Sequence, residues 1–149
     1  MSEQTKTEIL TDSEDIYSAL CAVSSDLYNQ NVNDDETIRN LACKFSQKAK
    51  VLVVRDDDET KGFCAFYCND FETYTAYLSI IVVVAEAQGR GYANTMFQEM
   101  LLICRNNGMK RLRLEVDNSN LRAINFYKKR GFHFEKKKDE TSYFIADIL

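Results

Sequence analysis

Between Ile80 and Asp117 the hydrophobic period changes twice, and that change limits the topologies open to this chain. Ile80 to Ala85 is an unbroken apolar run, "IIVVVA", of the kind a strand shows when both sheet faces are covered. From Gly91 the spacing turns helical, with Tyr92, Met96, Phe97, Met100, Leu101 and Cys104 on one stripe and Asn107 and Gly108 as a stop signal. "RLRLEVD" then alternates strictly, Leu112, Leu114 and Val116 on one face and Arg113, Glu115 and Asp117 on the other. A strand, a helix and a strand in succession predict a parallel pair joined by a right-handed crossover.

The flanking segments extend this into one central sheet. "TEIL" reads as a short strand, and Thr11, Asp12 and Ser13 offer caps for a helix with Ile16, Leu20, Val23 and Leu27 at helical spacing. Asn33 or Asp34 caps a second helix, whose inward face carries Ile38, Leu41, Ala42 and Phe45. "KVLVVRD" and "GFCAFYCND" form a hairpin over the charged turn "DDDETKG", closed by Gly62. "NLRAINFYKKR" is a short helix ending at Gly131, and "HFEKKKDETSYFIADIL" is a closing hairpin. The expected class is α/β with a mixed, mostly antiparallel sheet, in a single domain over residues 1–149.

Composition narrows the functions. With a net charge of -4 and a pI of about 5.1, attraction to nucleic acid or to an anionic membrane is not expected. "KRLR", "KKR" and "EKKKDE" are local basic clusters interleaved with acids, which reads as solvated surface. Five cysteines without a CxxC spacing fit buried free thiols in a reducing compartment, and one histidine, His133, makes a metal site unexpected. The polar start "MSEQTKTEIL" lacks a signal-peptide core, and the wholly apolar runs are too short to span a bilayer. A cytoplasmic protein, monomeric or homodimeric, is expected.

Against this background, two of the five glycines stand one residue apart in "QGRGYA", Gln88 to Ala93, in a chain with no proline. A loop entering a helix N-terminus meets unpaired N–H groups and the positive end of the helix dipole. Gly89 and Gly91 would let an anion approach that backbone closely, as in a nest. A plain strand-to-helix turn with no ligand explains the loop equally well when it is taken alone. The P-loop pattern GxxxxGK[ST] is absent, and GxGxxG fails because Asn94 holds the place of the third glycine. The pattern [QR]xxGx[GA] is met by Gln88, Gly91 and Ala93.

A second motif follows the next strand: "NLRAINFYKKRGF" has the form NxxAxxFYxxxGF, beginning at Asn120. With both motifs in order, Leu78 to Phe132 resembles the GCN5-related N-acetyltransferase (GNAT) superfamily, and the element order is similar over essentially the whole chain. The resemblance implies the GNAT fold, with helices on both faces of the sheet, and acetyl-CoA as co-substrate. It implies that the amides of Gln88, Gly89, Arg90, Gly91, Tyr92 and Ala93 hold the pyrophosphate. Val82, Val83 and Val84 would pair with the pantetheine amides, Asn120 would contact the cofactor, and Tyr127 would face its sulfur. The chain departs from the family where Ala85 replaces a frequent proline and Gln88 a commoner arginine. Arg122, Lys128, Lys129 and Arg130 lie where the family meets the 3'-phosphate, although ordinary surface charge explains each equally well.

Acetyl transfer from a thioester needs a neutral amine, donors for the oxyanion and a proton for the departing thiolate, so the protein supplies mainly placement and proton management. A phenol of pKa about 10 can protonate a thiolate of pKa about 8.5, which suits Tyr127 as general acid. A backbone N–H near Val83 is the expected oxyanion donor. Glu115, half-buried on the polar face of its strand, is the candidate base; a structural ion pair with Arg113 or another basic neighbour is the alternative. Asp117 and Glu86 are weaker candidates. The acceptor is expected to be the primary amine of a small molecule, an amino sugar being one class, with Tyr28, Asn33, Asn69, Asp70 or Tyr143 as contacts. A protein amino-terminal or lysine acetyltransferase, and a non-catalytic acyl-CoA sensor, are the alternatives.

Overall fold

A computed structural model describes residues 5–27 and 34–148. Its strands are β1 (Thr5–Leu10), β2 (Lys50–Asp56), β3 (Glu59–Tyr67), β4 (Thr75–Val83), β5 (Arg111–Asp117), β6 (His133–Lys138) and β7 (Thr141–Asp147). The helices are α1 (Ser13–Val23) and α2 (Asp35–Lys48) between β1 and β2, α3 (Tyr92–Asn106) between β4 and β5, and α4 (Leu121–Lys128) between β5 and β6. The strands make one mixed sheet in the order β1-β2-β3-β4-β5-β7-β6, in which β4 and β5 are parallel. The chain gathers into two compact units, one of Met1–Phe66 with Ile80–Met100 and one of Tyr67–Ser79 with Leu101–Leu149.

In the first unit, Asp12 accepts from the Glu14 N–H at the start of α1, and Asp34 accepts from the Thr37 N–H at the start of α2. Each satisfies an N–H that the helix itself leaves unpaired. Ile16, Leu20 and Val23 are buried as their spacing requires, as are Ile38, Ala42 and Phe45, with Phe45 6.3 Å from the Phe63 ring. The turn between β2 and β3 differs from expectation. Asp57 and Asp58 hold it, at φ 54 and 65, because a short polar side chain tolerates the left-handed region. Gly62 lies inside β3 and is buried; a Cβ there would stand 2.7 Å from Met96 Cε and 2.8 Å from Val54 Cγ1. Its bare backbone leaves room for the Met96 thioether end and the Val54 methyl to pack over the strand.

In the second unit, β5 pairs antiparallel with β7 and β7 with β6. Leu112, Leu114 and Val116 are buried and Arg113, Glu115 and Asp117 half-buried, as the alternation predicts. Gly108, at φ 83, follows α3 where the stop signal stands. Three cysteines, Cys64, Cys68 and Cys104, are buried and outside any disulfide, with the Cys68 and Cys104 sulfurs 3.3 Å apart, but Cys21 and Cys43 are exposed on α1 and α2. Among the described residues, no helix is long and apolar enough to cross a membrane, and no group of three metal-ligating side chains is found.

The apolar run also departs from expectation. Ile80, Ile81 and Val82 are only half-buried, and full burial is reached at Val83 and Val84. The ladder between β4 and β5 joins Thr75–Leu78 to Arg111–Leu114, so the half-exposed residues lie beyond it.

Candidate active site

In the first unit, the end of β4 passes through a single 3-10 turn, Ala85–Ala87, into the glycine loop and α3. The Val84 N–H donates to the Lys61 carbonyl of β3 at 2.9 Å. Because successive backbone groups of a strand point to opposite edges, the Val83 N–H is directed away from β3, as an oxyanion or pantetheine donor must be. Of the three valines expected to meet pantetheine, Val84 thus has its donor committed to β3. The Gln88 side-chain amide donates to the Val83 carbonyl at 3.1 Å, tying the loop to the strand end. An arginine there would put charge near a phosphate; glutamine here fixes the loop's path.

Gly89 and Gly91 adopt φ 81 and 86, the left-handed region that glycine enters without penalty, and a Cβ at either would meet nothing within 4 Å. Space is therefore not what excludes a side chain at these positions. The Gly91 carbonyl accepts from the Thr95 N–H and from the Thr95 hydroxyl, both at 3.0 Å, so Gly91 is the residue from which α3 springs. The N–H groups of the first turn, from Tyr92 onward, have no intrahelical acceptor by construction and point back toward the loop. Arg90 is exposed between the glycines. Tyr92 is buried and donates its hydroxyl to Asp56 Oδ2 at 2.8 Å, which anchors the first turn. Ala93 is half-buried. Glu86 is exposed and paired with Lys61 at 3.5 Å, a surface ion pair.

The second unit carries the other motif. Asn120 is the N-cap of α4: its Oδ1 accepts from the Ala123 N–H at 3.2 Å. Tyr127 is buried, its ring 5.5 Å from Phe126 and 5.7 Å from Phe132, both edge-on. Arg130 lies with its guanidinium 3.4 Å from the Phe126 ring centroid and donates to the Phe126 carbonyl at 2.9 Å, so it packs rather than reaching out as free surface charge. Lys128 and Lys129, like Arg122, are exposed.

Glu115 is not the partner of Arg113. Arg113 makes a bidentate pair with Glu135, Nε to Oε1 at 2.7 Å and the second nitrogen to Oε2 at 2.9 Å, and that pair holds the Glu135 carboxyl below the usual glutamate range. Glu115 instead accepts from the Thr141 hydroxyl through Oε2 and stands directly opposite Tyr143 on β7. Asp117 takes the Ser119 N–H and hydroxyl, which lower its pKa and leave it a poor base. Asp70 is engaged by Thr73 and Glu72 in its own turn, and Asn69 is exposed beside it. Tyr28 and Asn33 lie outside the described residues.

One residue of this face went unnoticed in the sequence. Tyr77 on β4 is in register with Arg113, and its hydroxyl is pushed up to about 12, first by burial and then by Glu115, Tyr143 and Tyr67. Its signal was the period of "TAYLS", which places Tyr77 opposite to the buried Ala76 and Leu78.

Residues 14–132 match the model of the Acetyltransferase (GNAT) family. The chain belongs to that family. Among curated proteins, this GNAT chain is 32% identical over 83 residues to N-alpha-acetyltransferase 30 of Schizosaccharomyces pombe, a match over 54% of this chain and 55% of that protein. The match thus spans about half the length of that relative. Among solved structures, the PaiA N-acetyltransferase of Thermoplasma acidophilum, in complex with coenzyme A, superposes with a TM-score of 0.78 at 18% identity, over 95% of this chain and 99% of that one. The ribosomal-protein-S18-alanine N-acetyltransferase of Escherichia coli gives 0.76 at 16% identity, over 96% and 94%. At these identities the likeness to the solved structures is one of fold. The GNAT fold anticipated from the two motifs is the fold observed.

Proposed function

We propose that this chain is an acetyl-CoA-dependent N-acetyltransferase whose acceptor is the primary amine of a small molecule. The observation that carries the cofactor assignment is the loop at the start of α3, with two left-handed glycines, open space at both and first-turn amides beyond them. A pyrophosphate is the anion that such a loop suits, since several backbone donors and a helix dipole converge on it without any side chain. The amides of Gln88 to Ala93 hold it, Val82 and Val83 meet the pantetheine arm, and Asn120 adds a contact from the start of α4. A GNAT relative of the same fold has been solved with coenzyme A, which supports the choice.

In the transfer, the acceptor ammonium gives a proton to the Glu115 carboxylate, and the freed lone pair forms the C–N bond at the thioester carbonyl. The Val83 N–H would stabilise the oxyanion, the C–S bond breaks, and the leaving thiolate takes the phenolic proton of Tyr127. The resulting phenolate recovers a proton from the still-protonated amide nitrogen, while Glu115 returns its own proton to solvent. The Thr141 hydroxyl bond to Glu115 and the ring contacts of Tyr127 support these roles, since each restricts the side chain.

A protein amino terminus is the second reading, favoured by the 32% identity to an N-alpha-acetyltransferase. The deciding experiment is a panel of primary amines, amino sugars and short peptides with acetyl-CoA, monitored by release of free thiol. Amine-dependent release is expected; tight acetyl-CoA binding with no amine-stimulated release across the panel would refute catalysis and leave an acyl-CoA sensor.

A further inference from the structure

Two buried sulfur contacts involve α3, and they differ in chemistry. In the first unit, Cys64 Sγ stands 3.9 Å from Met100 Sδ, a thiol against a thioether. In the second unit, Cys68 Sγ stands 3.3 Å from Cys104 Sγ, a thiol against a thiol, and neither belongs to a disulfide. Burial alone is ordinary for cysteine, which packs as a small hydrophobe. The second contact goes further, because two thiols can be joined by removal of two electrons and two protons, whereas a thioether has no proton to lose. A disulfide bond is about 2.05 Å long, so these sulfurs have only about 1.2 Å to close.

Access to the pair is asymmetric. Cys104 is fully buried near the end of α3, while Cys68 is 6% exposed and is the last buried residue before an exposed stretch from Asn69 to Tyr74. Asp70 organises that stretch: its carboxylate accepts from the Glu72 N–H at 3.1 Å, from the Thr73 N–H at 3.0 Å and from the Thr73 hydroxyl. These bonds are exposed and local, so the turn can open without unpairing the sheet. Opening there uncovers Cys68 first.

We propose that Cys68 and Cys104 are a modification site, joined into a reversible disulfide by a hydroperoxide, which staples the end of α3 to the segment that follows β3. The Cys68 thiolate attacks one peroxide oxygen, the O–O bond breaks, and the departing hydroxide takes up a proton, leaving a sulfenic acid on Cys68. The Cys104 sulfur then attacks the Cys68 sulfur. The S–S bond forms, the S–O bond breaks, and the hydroxyl leaves as water with the Cys104 proton. The two thiols are oxidised by two electrons in total, and hydrogen peroxide is reduced to two waters. A small dithiol reverses the step by exchange. Met100 cannot resolve a sulfenic acid in this way, so Cys64, whose thiol burial pushes up, is the internal control. No residue proposed for acetyl transfer takes part.

The test treats the whole folded chain with hydrogen peroxide, alkylates the remaining thiols in denaturant and maps peptides without reduction. Cleavage after Phe66 or Tyr67 separates Cys64 from Cys68. A peptide pair joining Cys68 to Cys104 is expected, lost on treatment with dithiothreitol, while Cys64 remains open to alkylation. A link between cysteines 36 positions apart should raise the melting temperature of the oxidised chain by roughly 4–16 °C over the dithiol form. Cys104→Ala should abolish both the link and that gain. Asp70→Ala should speed linkage at least about threefold, because the turn in front of Cys68 then opens more often. Cys68 left unlinked while Cys21 and Cys43 are oxidised, Cys68 joined to any other cysteine, or a link that forms only in denaturant would overturn the site. An unchanged melting temperature in the linked chain would overturn the staple, and an unchanged rate in Asp70→Ala the route to it.

Discussion

Gly91→Ala separates what the glycine does for the fold from what it does for the ligand, because the chain supplies its own control. Gly91 and Gly108 sit at nearly the same φ, 86 and 83, and a Cβ at either meets nothing within 4 Å. Alanine at each position therefore incurs the same penalty for the left-handed region, about 1–2 kcal/mol, with no steric clash added. For a chain of this length that lowers the melting temperature by roughly 2–4 °C per kcal/mol, equally in both variants. The two positions differ in what they face. Gly91 opens α3, where the pyrophosphate is proposed to sit, and Gly108 closes it. A methyl group at Gly91 pushes the anion off at least one amide, and a hydrogen bond to a charged group is worth about 1.5–3 kcal/mol. Acetyl-CoA should then bind roughly tenfold to hundredfold more weakly to Gly91→Ala and unchanged to Gly108→Ala. Titration calorimetry reads the affinity and thermal denaturation the strain. Equal acetyl-CoA affinities in two equally destabilised variants would remove the loop from the cofactor site.

Three other outcomes follow from the same contacts. Gly62→Ala puts a methyl 2.7 Å from Met96 Cε and should cost about 1–3 kcal/mol in urea unfolding; a neutral result would mean that α3 and β3 are less closely packed than described. Tyr127→Phe keeps the ring contacts with Phe126 and Phe132 and removes only the hydroxyl, so kcat should fall at least about tenfold, with acetyl-CoA affinity within twofold, where a general acid commonly supplies 10²–10⁴; undiminished single-turnover rates would take the acid role from it. Glu135 is held below its ordinary value of 4.5 by Arg113, so the native state binds its proton less readily than the unfolded state does. Its contribution is present above that value and is lost as the pH falls through the lower native value; Glu135→Gln should flatten this part of an acid-unfolding profile, and an unchanged profile would show the pair to be energetically silent.

The features legible in the sequence were those that a backbone conformation or a period imposes locally. Helix faces repeated every turn, β5 alternated, and Gly89 and Gly91 marked the left-handed positions, since few other residues enter that region cheaply. The same logic misled at Gly62, because a glycine near a charged turn suggests the turn itself, while Asp57 and Asp58 also tolerate positive φ and took that place. There the glycine answers to a methionine in α3, distant in sequence and invisible to any local pattern. The Arg113–Glu135 pair and the place of Tyr77 beside Arg113 were missed for the same reason: each depends on the register of strands separated by helices or hairpins, and a charge on a strand carries no address. This division bears on function. A pyrophosphate held by amides, as proposed, would require only local backbone shape and so would be written in one short motif, whereas an acceptor held by side chains from separate strands would leave no contiguous trace. Such a chain can keep its cofactor motif unchanged while strand side chains vary singly, so the sequence pattern that points to the cofactor carries no information about the amine.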